Sequence, residues 1–180
     1  MSDRQAHDFE QKALLEAVAR GDSPGLERLY TEFGDTVYRI AFRLTESAAD
    51  AKDILQDVFV ALPEALHSFD ARGSFEGWLK RVTVRTALMK MRTRRRRREI
   101  SLGGLAGSLR QAEAPDPVDR MELERAVSDL PEQLRAVFVL KEIEGFTHDE
   151  IAELLQIKRG TSEVRLYRAR RVLRTRLGRR

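Results

Sequence analysis

Cysteine is absent from all 180 residues. That absence excludes disulfides, thiolate metal sites and thiol nucleophiles together. His7, His67 and His148 are scattered, with no partner at ligand spacing, so no metal and no other cofactor is expected. Apolar runs are short: Ala136–Leu140 is five residues, against the roughly 20 that a membrane helix requires. The opening MSDRQAHDFEQK is polar and lacks a signal-peptide core. We therefore expect a soluble, cytoplasmic protein with no membrane insertion. Strand-like alternation of useful length is also missing, which leaves an all-α fold.

What is abundant is charge, and its placement matters more than its sum. Thirty-three Lys and Arg face 29 Asp and Glu, for a net charge of only +4. Segments 78–99 and 158–180 each carry ten basic residues and one acid. Between Glu46 and Glu64 the sign reverses, with Asp50, Asp53 and Asp57 among five acids against Lys52 alone. Two basic stripes and a separate acidic surface imply two anionic contacts and one partner of another kind.

The chain reads as successive helices. Phe9–Ala19 forms a short one, stopped by Gly21. Asp22-Ser23-Pro24 starts a long one with an apolar stripe at Leu26, Leu29, Tyr30, Phe33, Val37, Ile40, Ala41 and Leu44. A helix over 48–67 turns Ala51, Ile54, Leu55, Val58, Phe59 and Leu62 inward, with Pro63 expected to kink its end. Ser74 caps a helix reaching Glu99, roughly 35–40 Å long, with apolar residues at Phe75, Trp78, Leu79, Val82 and Met89. These helices make a bundle over 1–99. Residues 100–117, rich in Gly, Pro and small side chains, read as a linker, and 118–180 as a second helical domain.

In that second domain, Thr147 and Glu150 fit a capping box. A short helix, a turn at Gln156–Arg159 and a basic helix over 160–177 then make a helix-turn-helix pattern. Arg165, Arg168, Arg170, Arg171 and Arg174 suit phosphates, which supply affinity but not sequence choice. Arg159, Thr161, Ser162 and Glu163, near the start of the helix, are the candidates for reading bases.

Taken in order, these pieces resemble the extracytoplasmic-function (ECF) group of bacterial sigma factors in the sigma-70 family. DAKDILQDVF at 50–59 is similar to that family's polymerase-binding motif, and FDARGSFEGWL at 69–79 to its promoter-melting segment. LPEQLRAVFVLKEIEGFTHDEIAELL at 130–155 resembles the start of sigma domain four, and RGTSEVRLYRAR at 159–170 its recognition helix. The resemblance implies two domains, sigma domain two and sigma domain four, in a promoter-specific initiation factor rather than an enzyme. Its implied partners are core RNA polymerase, promoter DNA and an anti-sigma factor. Asp50, Asp53, Ile54, Gln56 and Asp57 would then dock on polymerase. Phe69, Arg72, Ser74, Arg81, Arg85 and Arg92, in loop 68–74 and the helix after it, would take the single-stranded −10 element. Arg159, Thr161, Ser162, Glu163, Arg165 and Arg168 would engage the duplex −35 element. Phe75 and Trp78 are assigned to the core, and the linker acids Glu113, Asp116 and Asp119 to phosphate mimicry in the polymerase cleft.

The chain departs from the family pattern at named places. Arg85 and Met89 stand where Asn and Asp are usual, Gln156 replaces the glycine of the turn, and Ser162 occupies a normally apolar position that Val164 would offset. Glu163 stands where a basic residue is common. These changes imply altered promoter choice. Two rivals are weighed against this reading. A two-domain DNA-binding regulator independent of polymerase has no use for the acidic helix. A metal-dependent nuclease built on Asp50, Asp53 and Asp57 lacks a second carboxylate cluster, and one helix face rarely converges its carboxylates on one ion.

Overall fold

The apolar stripe of the second helix organises the first half of the molecule. In the computed structural model, residues 3–70, 73–101 and 118–178 are described, with side chains described over 10–70, 73–97 and 122–178. The helices are α1 (Asp3–Ala19), α2 (Ser23–Thr45), α3 (Ala48–Ala65), α4 (Phe75–Ser101), α5 (Val118–Ser128), α6 (Glu132–Phe138), α7 (His148–Leu155) and α8 (Arg159–Leu177). A 3-10 turn, Leu66–Ser68, follows α3, and a wider π turn, Val139–Ile143, extends α6. No strand occurs among the described residues. Arg72 and the 102–117 stretch lie outside them.

Each start and stop has a local cause. The Asp22 side chain accepts from Gly25 N at 2.8 Å and caps α2. Gly25 also lets α1 approach, since a Cβ there would sit 2.9 Å from Val18. The α2 helix ends in Glu46, whose backbone is left-handed (φ 55, ψ 31) and returns its N–H to Phe42 O. Ser47 then caps α3 by accepting from Asp50 N. Pro63 sits near the end of α3, and the chain tightens into the 3-10 turn three residues later. Ser74 caps α4 by accepting from Gly77 N at 3.1 Å. The first helix begins at Asp3, six residues before the expected start at Phe9.

The α2 stripe is buried at Leu29, Phe33, Val37, Ile40, Ala41 and Leu44, whereas Tyr30 is 48% exposed and packs edge-on against Phe59. From α3 come Ala51, Ile54, Val58, Phe59 and Leu62. The buried face of α4 is Phe75, Leu79, Thr83, Val84 and Ala87; Met89, expected on the apolar stripe, is 66% exposed. The polar Thr83 is tolerated at 0% exposure because its hydroxyl donates to Leu79 O at 2.8 Å.

In the second half, α6 and α7 pack on α8, which buries Ser162, Leu166, Ala169 and Leu173 at helical spacing. The expected capping box is complete. Thr147 Oγ1 accepts from Glu150 N, and Glu150 Oε2 accepts from Thr147 N at 2.8 Å. The bond from Thr147 N leads, followed by the one from Arg81, in lowering the Glu150 carboxyl from 4.5 to about 2. At the other end of α7, Gln156 adopts φ 56, ψ 48, the left-handed conformation that makes its non-glycine identity costly.

Gln156→Gly relieves left-handed strain and should stabilise the domain by about 0.5–1 kcal/mol in denaturant melts; a lower midpoint would contradict the strain. A folded carboxylate with a depressed pKa contributes stability above its unfolded value, and that contribution is lost as pH falls. Glu150→Gln keeps the capping geometry and removes the charge. Its melting temperature should therefore lie below the parent's at pH 6 and converge with it between pH 4.5 and about 2. Parallel curves over that window would rule this out.

Candidate nucleic-acid and polymerase interface

The acidic face of α3 is not a free carboxylate array. Asp50, its side chain 20% exposed, accepts from Arg94 at 2.5 Å, and Asp53 accepts from Lys90 at 2.8 Å. The basic half of α4 thus lies along the acidic half of α3, and self-repulsion along α4 is relieved inside the molecule. Gln56 and Asp57 are exposed, and Asp53 is 62% exposed despite its partner. Ile54, expected to touch polymerase, is instead core, at 0% exposure. It falls in step with Ala51 and Val58 on the inner face, so it cannot meet a partner while the bundle stays folded. A metal site at Asp50, Asp53 and Asp57 is disfavoured because two of the three already pair with Lys90 and Arg94.

At the start of α4, an aromatic cluster fixes the preceding loop. Phe69 lies 6.0 Å from Phe75 and 5.4 Å from Trp78, with Phe33 against the far side of Phe75. Phe75 is 1% exposed, as assigned, and Phe69 and Trp78 are half-buried. The Phe69 ring is therefore part of the packing that holds the loop, with only its outer portion open. The Ser74 hydroxyl is engaged as the α4 cap.

Arg81 and Arg85 stand one turn apart on α4 and point at α7. Arg81 pairs with Glu150, and Arg85 with Glu153 at 3.1 Å. Arg85 and Glu153 are well exposed, so that pair contributes only ~0–1 kcal/mol, whereas Glu150 is half-buried. Arg92, further along the same face, is exposed. Beside these pairs is a more buried set. Glu144, its side chain 6% exposed, takes Arg43 of α2 at 3.3 Å and Lys80 of α4 at 3.6 Å. Arg135 of α6 is 8% exposed and donates to Leu44 O of α2 at 3.2 Å, and to Ser128 O and Leu130 O. Glu46 faces it at 3.8 Å and also accepts from the Ser128 hydroxyl. Neither Arg135 nor Glu144 stood out in the sequence, because pairing across about a hundred residues leaves no spacing signal.

In the helix-turn-helix, the recognition helix starts at Arg159, one or two residues earlier than expected. Arg159 bridges Asp149 and Glu163, each at 3.1 Å, and Glu163 first, then Asp149, holds its guanidinium more firmly protonated. Thr161 is half-buried. Ser162 must be removed from the base-reading set: it is 0% exposed, and its Oγ shares a 2.9 Å hydrogen bond with His148 Nδ1. A hydroxyl at an inward position needs such a partner, so this residue joins α7 to α8 instead of facing outward. Val164 does not fill that position; it is 49% exposed. Arg165 donates to Gln133 at 2.9 Å, and Arg168 is exposed. The outward face also presents Tyr167, 66% exposed. Val164 and Tyr167, three residues apart, were signalled in the sequence by their falling out of step with Leu166, Ala169 and Leu173.

The model of Sigma-70 region 2 matches residues 29–97, and that of Sigma-70 region 4 matches residues 120–173. The ECF RNA polymerase sigma factor SigE of Mycolicibacterium smegmatis is 33% identical over 168 residues, covering 87% of this chain and 64% of that protein. The ECF RNA polymerase sigma-E factor of Escherichia coli K12 is 28% identical, covering 90% of this chain and 91% of its own length. Among solved structures, CnrH in complex with the cytosolic domain of CnrY is similar, with a TM-score of 0.57, 25% identity, and coverage of 92% of this chain and 96% of that one. The sigma factor RpoE of Bartonella quintana, solved with the anti-sigma factor NepR, shares the fold at a TM-score of 0.66 and 22% identity, covering 85% and 96%. No described helix is long and apolar enough to cross a membrane. With both sigma regions present in order, the chain belongs to the ECF group of sigma-70 family sigma factors, a family of transcription initiation factors rather than enzymes.

Proposed function

We propose that this chain binds core RNA polymerase and directs initiation at a particular set of promoters. The observation that carries the reading is the joint presence, in order, of both sigma regions with an exposed acidic helix beside a basic one. Asp53, Gln56 and Asp57 dock on polymerase, and Asp50 with Arg94 holds the α3–α4 geometry behind them. Arg81, Arg85 and Arg92, with the Phe69 loop, take the backbone and an unstacked base of the −10 element. On α8, Arg168 holds phosphate while Glu163, Val164 and Tyr167 face the −35 bases. An apolar side chain there suits a thymine methyl, and a carboxylate can accept from cytosine N4. An anti-sigma factor is a further partner in this reading, since RpoE, which shares the fold, was solved with the anti-sigma factor NepR. Arg85 and Met89, both exposed, replace hydrogen-bonding carboxylate and amide groups with charge and apolar surface, and so alter −10 choice.

Affinity capture with the purified chain should retain core polymerase, and Asp53→Ala/Asp57→Ala should reduce retention about tenfold. No retention by the parent chain would favour the polymerase-independent regulator. Replacing Arg81, Arg85 and Arg92 together by Ala in the holoenzyme should flatten the salt dependence of promoter binding by roughly two to three units of log–log slope. An unchanged slope would reduce these residues to a solvated face.

A further inference from the structure

The fully buried hydroxyl of Ser162 has one place to send its proton. A hydroxyl inside a helix can return it to the carbonyl four residues back, as Thr83, Thr86 and Thr93 do on α4. Ser162 makes no such bond among the described residues; its partner is His148 Nδ1, at 2.9 Å. A buried O–H without an acceptor is costly, so the hydroxyl donates and Nδ1 accepts. The ring proton then sits on Nε2. His148 is half-buried, and its Nε2, across the ring from Ser162, has no partner among the described residues and is open to solvent.

We propose that His148 is a DNA contact of the second domain: its Nε2–H donates to one phosphate oxygen at the edge of the −35 duplex, and Ser162 is the positioning residue that fixes the tautomer and the plane of the ring from behind. The inference rests on the reading of α8 as the −35 helix.

Placement favours phosphate over bases. Arg159, at the start of α8, reaches Glu163 on its own helix and Asp149, the neighbour of His148, on α7. The first turn of α7 is thereby held beside the end of α8 that meets base edges. A helix in the major groove leaves the element packed across its start over the backbone that borders the groove. The carboxylates around the ring are already engaged: Asp149 and Glu163 share Arg159, and Glu150 is turned back onto Thr147. The donor also differs in kind from the arginines of α8. A guanidinium that meets phosphate releases counter-ions, whereas an uncharged N–H does not, so His148 adds affinity and register without adding salt dependence. A serine at this inward position therefore acts on DNA indirectly, through the ring that it orients.

The test uses the full chain in holoenzyme, on a promoter duplex that the parent holoenzyme selects from a random pool. His148→Phe/Ser162→Ala keeps a ring in place and leaves no buried hydroxyl unpaired. It should bind the duplex about tenfold more weakly, with the log–log salt slope unchanged. When each −35 phosphate in turn is replaced by an uncharged methylphosphonate, parent and double variant should bind alike at one position only. Ser162→Ala alone should lose about threefold, and lose it at that same phosphate. Nitrogen–proton correlation spectra of the full chain should show His148 as the Nε2–H tautomer, and as a mixture in Ser162→Ala. Parent-like affinity in the double variant, a slope lowered by about one unit, or an Nδ1–H tautomer in the parent would each overturn the proposal. A role in packing alone would lower the melting temperature of the variants while their affinity loss stayed the same at every replaced phosphate, and that result also overturns it. If the parent holoenzyme selects no duplex, the reading of α8 fails and the contact falls with it. A selected duplex with no phosphate that depends on His148 removes the contact and leaves that reading standing.

Discussion

A buried guanidinium holds the two halves of this molecule in one arrangement. Arg135 sends its donors to carbonyls at the ends of α5 and α2, and Glu46 lies against it. An arginine at 8% exposure is tolerated only where its fork is met by acceptors, and helix C-termini supply carbonyls with no partner of their own. The left-handed residue that ends α2 is Glu46, so one residue both terminates the helix and faces the arginine. Glu144 repeats the logic with opposite sign, a nearly buried carboxylate between Arg43 and Lys80. The exposed pairs beside them inherit their positions from these two anchors.

Local rules carried the reading of the sequence a long way. The Thr147 capping box, the Ser74 cap, the α2 stripe and the strained Gln156 are all decided within four residues of one another, and each is found in place. Where several roles competed for one helix, the face had to be chosen, and there the sequence was less informative. Ile54 lies among acids but keeps step with Ala51 and Val58, and burial wins. Ser162 lies among base-reading candidates but keeps step with Leu166 and Ala169. On α4, Met89 looked like part of an apolar stripe, whereas Thr83, Val84 and Ala87 pack inside. The small and polar residues of that face concealed its direction. Long-range ion pairs were not legible at all, since nothing about Glu144 distinguishes it from the acids around it until α2 and α4 are placed beside it.

The electrostatics therefore serve three tasks with one set of charges. Part of the α4 basicity is spent on the α3 acids, which stiffens the bundle. Part is turned toward α7, which ties the halves. Arg92 of α4 and Arg168 of α8 face solvent and are available to nucleic acid. A net charge of only +4 fits such division, because the chain carries its own counter-ions to part of its basic surface.

The central claim, that this chain gives polymerase its promoters, is met most directly by transcription from fragmented genomic DNA of the source organism. Core polymerase would be supplied with and without the purified chain, and transcript starts mapped by sequencing. The account predicts start sites that require the chain and share a common pair of elements at −35 and −10, lost with Asp53→Ala/Asp57→Ala. Identical start sites with and without the chain would contradict it.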